Sequence, residues 1–382
     1  MEKLKITILY DAIEDKEKAE AEEKGEKLPL VYEQVAQVLT KRGHEVNLLA
    51  AGPKIRNLVS QIDKDDSDII FNLCESLGGI SQHEQNVASL LELLDKKFTG
   101  SSSIGLALAQ DKALAKKLFS FHGIKYPKFS VIDEGQVDWS DDLEFPLFIK
   151  PLNQDASIGI DDRAIVHNVK ELMERISYIQ TEFKTPALIE EFIEGREIYV
   201  GILGNEKPEA LPIVEWDFSR VPDGVPKIAS AEAKWDEDSE AYKDAPSIFP
   251  EDIPEPVYKK IQETAITAFK ALKLRDYGRV DMRLRQIKPS RSKSKSESNP
   301  ETDGKTAEKS PSAKPTKAEE KEGKKSAQYQ EEVEDWEFYI IEVNPNPHLA
   351  RNSELALAAR KHGLTYPNLI EKIIELALAR SK

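Results

Sequence analysis

Two stretches late in the chain decide the fold, because they combine strand-like alternation with side chains that can hold a metal. They are YGRVDMRLR at residues 277–285 and EFYIIEVN at residues 337–344. Successive side chains of a strand point to opposite faces of its sheet. The alternation puts Asp281 on the polar face of the first strand, and Glu342 and Asn344 together on one face of the second. If the strands pair antiparallel, these three side chains converge.

Three oxygen-bearing side chains on one sheet face point to a divalent cation, since Mg²⁺ takes hard oxygen ligands and bare carboxylates would repel one another. The alternative is a solvated sheet face that carries ordinary charges. The apolar run at residues 339–341 favours a covered strand, and strict alternation puts Ile340 on the same face as Glu342. Residues 345–347 (Pro-Asn-Pro) then end the strand. We therefore predict a metal site rather than a solvated face.

The composition is that of an acidic chain that can bury several cores. The chain has 382 residues, 40% of them hydrophobic and 32% charged, with a net charge of −15, which is enough for two or three domains. The excess of acid argues against nucleic-acid or anionic-membrane partners. No apolar run reaches the length of about 18 residues that spans a membrane, and the apolar start is too short for a signal peptide. A single cysteine, Cys74, excludes an internal disulfide and a cysteine zinc site. We expect a soluble, cytoplasmic protein.

The chain divides into three predicted units. Residues 1–100 alternate strands with helices, the pattern of a parallel sheet covered on both faces. Residues 101–190 form a second unit and residues 191–382 a third. Within the third, residues 287–334 consist mainly of Lys, Ser, Glu, Pro, Thr and Ala. A segment with so few apolar side chains cannot bury enough surface to offset the conformational entropy that it would lose on ordering. We therefore predict a disordered insertion at a hairpin tip.

A second group of residues suggests a nucleotide ligand. Lys150 ends an apolar strand, where a lysine contributes little to packing but can meet a phosphate. The loop at residues 153–159 would let backbone N–H groups approach phosphate oxygens, although alone it is more typical of an ordinary turn. Residues 190–193 are similar to a hinge whose peptide groups can pair with an adenine edge, and Glu197 could accept from ribose hydroxyls. Alone, that stretch is better explained by two exposed glutamates.

Taken in order, these pieces resemble the ATP-grasp superfamily, closest to its D-alanine–D-alanine ligase branch. The motifs are Asp111-Lys112-Ala113-Leu114, Ile149-Lys150-Pro151, Ser157-Ile158-Gly159, Glu190 to Glu197, Lys234, Arg279-Val280-Asp281 and Glu342 to Pro347. The resemblance implies an α/β and α+β protein. An N-terminal Rossmann-like, pre-ATP-grasp domain (residues 1–100) with a parallel sheet would precede a two-lobed ATP-grasp fold. The small lobe would be residues 101–190 and the large C-terminal lobe residues 191–382.

The resemblance also implies an ATP-dependent carboxylate–amine ligase that forms an amide bond through an acylphosphate. ATP and two Mg²⁺ ions, with Mn²⁺ as an alternative, are the implied cofactors, and the metal ligands would be Asp281, Glu342 and Asn344. The implied nucleotide contacts are Lys112, Lys150, Glu190, Glu191, Phe192, Ile193, Glu197 and Lys234. The implied catalytic residues are Arg279, Lys234, His348 and Ser157. Small amino-acid or peptide substrates are the expected partners, and dimers are usual in the family.

The residues that would contact the substrate depart from the family pattern. Residues 10–15 replace a glycine-rich turn that carries a glutamate, and Ala156 and Trp235 replace a serine and a tyrosine. His348 replaces an oxyanion-hole glycine, where an imidazole would crowd a small substrate or donate to the oxyanion. The candidate substrate contacts are Glu75, His83, Trp235 and Ser353. We therefore expect an amino-acid or peptide substrate other than D-alanine. The alternatives are D-alanine–D-alanine ligation itself, an ATP-grasp kinase and a non-catalytic nucleotide-binding interaction protein.

The insertion carries none of the motifs above, so its removal tests whether it is a solvated loop. We expect deletion of Pro289 to Gln330 to leave the kcat and KM of ATP-dependent turnover nearly unchanged. The measurement is steady-state phosphate release by the deleted and full-length chains, compared after both are shown to have the same circular dichroism spectrum. A well-folded deletion with a large loss of turnover would mean that the segment contacts the site.

Overall fold

The computed structural model describes residues 2–23, 30–133, 136–138, 142–154, 157–222, 226–229, 239–287 and 335–380. The predicted insertion therefore lies, except for Ile287, outside the described residues. None of the helices in the described part of the chain is long and apolar enough to cross a membrane.

The strands are β1 (Lys5–Asp11), β2 (Glu45–Ala51), β3 (Ile69–Asn72), β4 (Phe129–Asp133), β5 (Gln136–Asp138), β6 (Leu147–Pro151), β7 (Ile165–Val166), β8 (Ala187–Glu191), β9 (Arg196–Leu203), β10 (Glu209–Ala210), β11 (Val214–Trp216), β12 (Ser247–Ile248), β13 (Tyr277–Gln286) and β14 (Trp336–Asn344). The α-helices are α1 (Ile13–Glu23), α2 (Val31–Lys41), α3 (Ile55–Lys64), α4 (Glu84–Leu93), α5 (Ser103–Gln110), α6 (Lys112–Phe121), α7 (Val169–Glu182), α8 (Glu240–Asp244), α9 (Glu255–Ala271), α10 (Glu354–Lys361) and α11 (Tyr366–Arg380).

The first sheet is parallel, in the order β2-β1-β3. Both faces of β1 are buried: Ile6 and Ile8 pack in one core, and Leu9 packs in another on the opposite face. A strand buried on both faces needs helices on both sides, which matches the alternating strand and helix pattern. In α2, Val35, Val38 and Leu39 supply the i, i+3, i+4 apolar stripe that covers one face. The parallel sheet expected at the N-terminus is confirmed.

The second sheet is antiparallel, in the order β5-β4-β8-β6-β7. Its buried face packs on α7 through Leu172, Ile176 and Ile179. Asn168 caps that helix, because its side chain accepts a hydrogen bond from the backbone N–H of Glu171 at 3.1 Å. On the other face of the sheet, Leu188 packs against Ala113 of α6, and the rest of that face borders the cleft described below.

The third sheet has the order β12-β11-β9-β13-β14, with β10 paired to β9, and its pairs are antiparallel. Val280, Met282 and Leu284 alternate along β13 into one core, where α9 covers them. Their polar neighbours on the same strand therefore point to the opposite face, as the sequence predicts.

An irregularity between β13 and β14 changes which side chains share a face. Asp281 lies opposite Glu342, but Met282 lies opposite Ile340, so Ile341 is an extra residue on β14. Such a bulge shifts the alternation by one residue. The prediction that Ile340 shares a face with Glu342 is therefore wrong: Ile340 is fully buried in the core with Met282. Because the bulge lies before Glu342, the predicted metal ligands still face the same side.

The N-terminal sheet is fixed to the large lobe by a buried polar junction. Asp276 is fully buried and accepts from the backbone N–H of Gly100 at 2.9 Å and from the Arg380 guanidinium at 3.0 Å. Asn346 accepts from the backbone N–H of Ser101 at 2.9 Å. A Cβ at Gly100, where φ is +93°, would lie 2.5 Å from the Asn346 side-chain oxygen, so only glycine fits. The junction places the turn after β14 against the N-terminal domain.

Replacing Asp276 tests this junction. Its φ of +62° is left-handed, and asparagine tolerates that conformation, so Asp276→Asn removes the charge with little backbone effect. We expect the free energy of unfolding to fall by about 2 kcal/mol, because Arg380 loses a charged acceptor. Urea denaturation measures it. Glu375→Gln, which changes an exposed pair with Lys372, is the control and should shift stability by less than about 0.5 kcal/mol. Equal stability of the two variants would contradict the proposed importance of the junction.

Candidate functional site

A cleft of about 590 Å³, including space open to solvent, lies between the two antiparallel sheets. Its lining residues are Pro127, Phe148, Lys150, Ser157, Ile160, Glu190, Glu191, Phe192, Ile193, Glu197, Ile228, Ala229, Asp281, Arg283, Ile341 and Glu342. Most of the residues predicted to contact a nucleotide or a metal therefore share one cavity. Apolar walls with a few charged groups are typical of a small-molecule site.

One wall of the cleft carries a buried carboxylate between two lysines. Glu190, on β8, is 2% exposed, and its two oxygens lie 2.6 Å from Lys116 Nζ and 3.0 Å from Lys150 Nζ. Burial alone would raise the pKa of Glu190, but Lys116 and then Lys150 hold it below its usual value. The carboxylate is therefore ionised, and no solvent contact is needed to keep it so.

A second ion pair crosses from α6 to β14. Lys112 is 4% exposed, and its Nζ lies 2.9 Å from a Glu342 carboxylate oxygen and donates to the Gln154 carbonyl oxygen at 2.7 Å. Asp111 caps α6 by accepting from the Leu114 N–H at 2.9 Å, which fixes the direction of the first helical turn. Lys112 is thus held between the predicted phosphate loop and a predicted metal ligand.

The predicted metal ligands lie on the cleft face of β13 and β14. Asp281 accepts from two Arg279 nitrogens at 2.8 and 2.9 Å and from the Asn344 amide at 3.0 Å. Arg279 also pairs with Glu354 at 3.2 Å and lies 5.0 Å from the Tyr199 ring centre. Burial alone would lower the pKa of Arg279, but Asp281 raises it by more than burial lowers it. The pKa therefore lies above its usual value, and the guanidinium is permanently charged. Two carboxylates and one amide oxygen are hard donors, and this set fits magnesium.

The predicted adenine and ribose contacts lie next to this face. Glu191 ends β8, and Phe192 and Ile193 follow it into the cleft wall. Glu197 is 3% exposed; it pairs with Arg283 at 2.8 Å and accepts from the Tyr199 hydroxyl at 2.6 Å. Glu197 thus faces the cleft with a guanidinium and a hydroxyl already bound to its carboxylate.

Two loops meet over the cleft. The Ser157 hydroxyl is buried and donates to the Ala229 carbonyl oxygen at 2.9 Å. Ser157 has a φ of +60°, a conformation that few side chains adopt. The predicted residues Lys234 and Trp235 lie outside the described residues, a few positions beyond Ala229.

The predicted substrate contacts lie on loops beside the N-terminal sheet. His348 Nδ1 lies 3.8 Å from a Glu75 carboxylate oxygen, so the turn after β14 meets the loop after β3. Burial, and then Glu75 and Asp11, raise the pKa of Glu14 to about 8. Ser353 is buried and caps α10 by accepting from the Ala356 N–H. His83 ends a short 3-10 helix (Ser81–His83) before α4.

Sequence reasoning missed three charged residues of the site: Lys116, Arg283 and Glu354. Lys116 follows Lys112 by one helical turn and belongs to the buried stripe of α6. A charged residue on an otherwise apolar stripe was the signal that could have identified it, since lysine is almost never fully buried without a partner. Arg283 follows Asp281 at the spacing of a shared strand face, which is the same kind of signal.

The comparisons of this chain with known proteins all point to the same family. Residues 118–289 match the family "D-ala D-ala ligase C-terminus". The D-alanine–D-alanine ligase of Syntrophotalea carbinolica is 28% identical over 348 residues, which cover 91% of this chain and 90% of that protein. An uncharacterized protein of Sinorhizobium fredii, y4sG, is 27% identical over 355 residues, 92% of this chain and 88% of that protein.

A solved structure has the same fold over nearly the whole chain. The crystal structure of D-alanine–D-alanine ligase from Bacillus anthracis complexed with ATP matches with a TM-score of 0.66 and 19% identity. The match covers 99% of this chain and 98% of that chain. At this identity the likeness supports the fold, and the sequence relatives support the branch. Together these findings support the D-alanine–D-alanine ligase-like branch of the ATP-grasp superfamily, and the chain is similar to the carbon–nitrogen ligases of that branch.

Proposed function

We propose that this protein joins the carboxylate of an amino acid or small peptide to an amine, with an acylphosphate as the intermediate. The observation that carries the proposal is one cleft in which a buried lysine, the buried carboxylate paired with it and two further carboxylates on neighbouring strands converge. Lys150, Glu190, Asp281 and Glu342 all line it. The family uses ATP, and the nucleotide would occupy this cleft.

Four carboxylates on the cleft wall, those of Glu190, Glu197, Asp281 and Glu342, already have a cation, and this supports phosphate binding. Lys112 pairs with Glu342, and Lys150 pairs with Glu190. A triphosphate would draw both lysines toward its oxygens, since charge-assisted hydrogen bonds to phosphate are strong. Glu342 would then be available to magnesium, together with Asp281 and Asn344. When bound, magnesium supplies charge neutralisation for the transferring phosphoryl group.

The proposed reaction has two steps. A substrate carboxylate oxygen attacks the γ-phosphorus of ATP, so the bond from that phosphorus to the β–γ bridging oxygen breaks and ADP leaves. The amine nitrogen of the second substrate then attacks the acyl carbon, phosphate leaves, and the nitrogen loses a proton. Arg279 would stabilise charge on the tetrahedral intermediate, because it is buried and permanently charged next to the metal face. The loops joined through Ser157 would exclude water, which would otherwise hydrolyse the acylphosphate.

The substrate would be an amino acid or peptide, and the substrate end supports one other than D-alanine. His348 and Glu75 bring an imidazole and a carboxylate to the expected oxyanion side. Glu354 binds Arg279 and accepts from the Trp216 indole N–H at 3.2 Å, next to the buried Ser353. These side chains offer polar groups that a larger polar substrate can bind.

D-alanine–D-alanine ligation itself is the second candidate. It is favoured by relatives that carry that name and align over about nine-tenths of this chain. An ATP-grasp kinase is less well supported, since a kinase forms no tetrahedral intermediate and needs no buried cation such as Arg279. A non-catalytic nucleotide-binding protein is disfavoured by the charged residues that line the described part of the cleft.

Removing one carboxylate of the metal face tests the site. We expect Glu342→Gln to lower kcat by about 100-fold or more, because a neutral amide is a weaker metal ligand and no longer attracts Lys112. The measurement is ATP-dependent phosphate release with saturating substrates. Glu337→Gln, on the same strand but paired with Arg285, is the matched control and should stay within about threefold of the unchanged chain. Equal losses for both variants would contradict the assignment of the metal face.

The amine dependence of ATP use distinguishes a ligase from a kinase. We expect phosphate release from ATP to require both a carboxylate and an amine, and mass spectrometry to show a product whose mass is the sum of the two substrates minus one water. The screen uses L- and D-amino acids and dipeptides in pairs, with D-alanine alone as the reference. Stable phosphorylated product without an amine would favour the kinase. No turnover with any pair, despite tight ATP binding, would contradict the ligase proposal.

A further inference from the structure

Lys116 is a buried cation at the nucleotide site that does not face the cleft. It is 2% exposed, whereas Lys150, which shares Glu190 with it, lines the cleft. The two lysines bind different oxygens of Glu190, at 2.6 and 3.0 Å. Lys116 therefore contacts the carboxylate from behind, where a nucleotide in the cleft would not displace it.

The two lysines differ in how freely they can leave Glu190. Lys150 Nζ also lies 3.5 Å from the Ile341 carbonyl oxygen at the bulge, toward the cleft. Lys116 lies on α6 in the same buried stripe as Ala113, Ala115 and Phe119. A phosphate in the cleft can attract Lys150, but if Glu190 had no second cation, this movement would leave a fully buried carboxylate unpaired. Such a group is costly, so it would hold Lys150 in place.

We propose that Lys116 is a positioning residue that keeps Glu190 charged and fixed, so that Lys150 can exchange that carboxylate for a phosphate of the bound nucleotide. The inference rests on the proposed function, because it takes the cleft to be the nucleotide site. Lys116 itself touches neither the nucleotide nor the reacting atoms.

The environment of Lys116 agrees with this role. Burial, only partly offset by Glu190, holds the pKa of Lys116 below its usual value, and Lys150 lowers it further from the other side of the carboxylate. The Glu190 carboxylate thus pairs with two ammonium groups, which repel each other. Departure of Lys150 to a phosphate relieves that repulsion and strengthens the pair that remains. Glu342 loses Lys112 in the same event but is then available to a metal ion, whereas Glu190 retains Lys116.

The test is a double-mutant cycle on the full chain with ATP as the probe. In Lys116→Met we expect the KM for ATP to rise roughly 10- to 100-fold, while kcat at saturating ATP stays within about threefold, because Lys116 does not contact the reacting atoms. In a Glu190→Gln background the neutral amide needs no cation, so adding Lys116→Met should change the KM by less than about threefold. Lys117→Met, an exposed lysine on the same helix, is the control and should behave as the unchanged chain.

The outcomes separate this inference from the proposed function. An unchanged KM in Lys116→Met overturns the inference while the ligase proposal stands. An equal loss with and without Glu190→Gln also overturns it, since the lysine would then act through packing. If Lys116→Met does not fold, the comparison of the double variant with Glu190→Gln alone decides in the same way. If the unchanged chain binds no ATP by calorimetry, both the proposed function and the inference are overturned.

Discussion

The pairing of β13 with β14 is the constraint on which the site depends. Asp281 lies opposite Glu342 only because the register of the two strands brings those residues together. A one-residue slip would turn a strand's polar side chains toward the opposite face. The extra residue at Ile341 therefore matters, because it lets Ile340 enter the core while Glu342 stays on the cleft face. Core packing on one side and ligand chemistry on the other are both satisfied by that single bulge.

The residues of the cleft show how a group of charged side chains can be stable before a ligand binds. Glu190, Glu197, Asp281 and Glu342 each have a basic partner within 3.0 Å. Buried carboxylates without such partners would be neutralised or would destabilise the fold. Because three of these pairs join different elements, and the fourth joins Arg279 and Asp281 within β13, a ligand can replace some of them without unfolding any strand. These ion pairs hold the charged side chains of the cleft in place when no ligand is bound. They also determine which pairs a nucleotide would have to break when it binds.

Which residues lie together in the cleft was predictable from the sequence to a large extent, because the patterns that indicate them are short and local. Strand alternation grouped Asp281 with Glu342 and Asn344, and the family resemblance carried by the ordered motifs assigned Lys150 and Glu190 to the same nucleotide site. The orientation of Ile340 was not predictable, since a bulge depends on tertiary packing rather than on the residues themselves. Lys116 was missed because helix periodicity assigns a residue to a face but does not show which buried charge meets it there. Residues 134–135 and 230–238, among others, lie outside the described residues, so the predicted Lys234 remains a prediction.

The cleft and the loops beside it are built differently. The cleft is made of paired strands and ion pairs that depend on one another, so a single change there disturbs several contacts. The predicted substrate contacts Glu75 and His348 lie on loops, which tolerate change more easily. Those two loops follow strands of different sheets, and the buried contacts of Asp276 with Gly100 and Arg380 help to hold the first sheet against the third. The relative position of the two loops therefore depends on how these sheets are held together, as well as on the residues of the cleft.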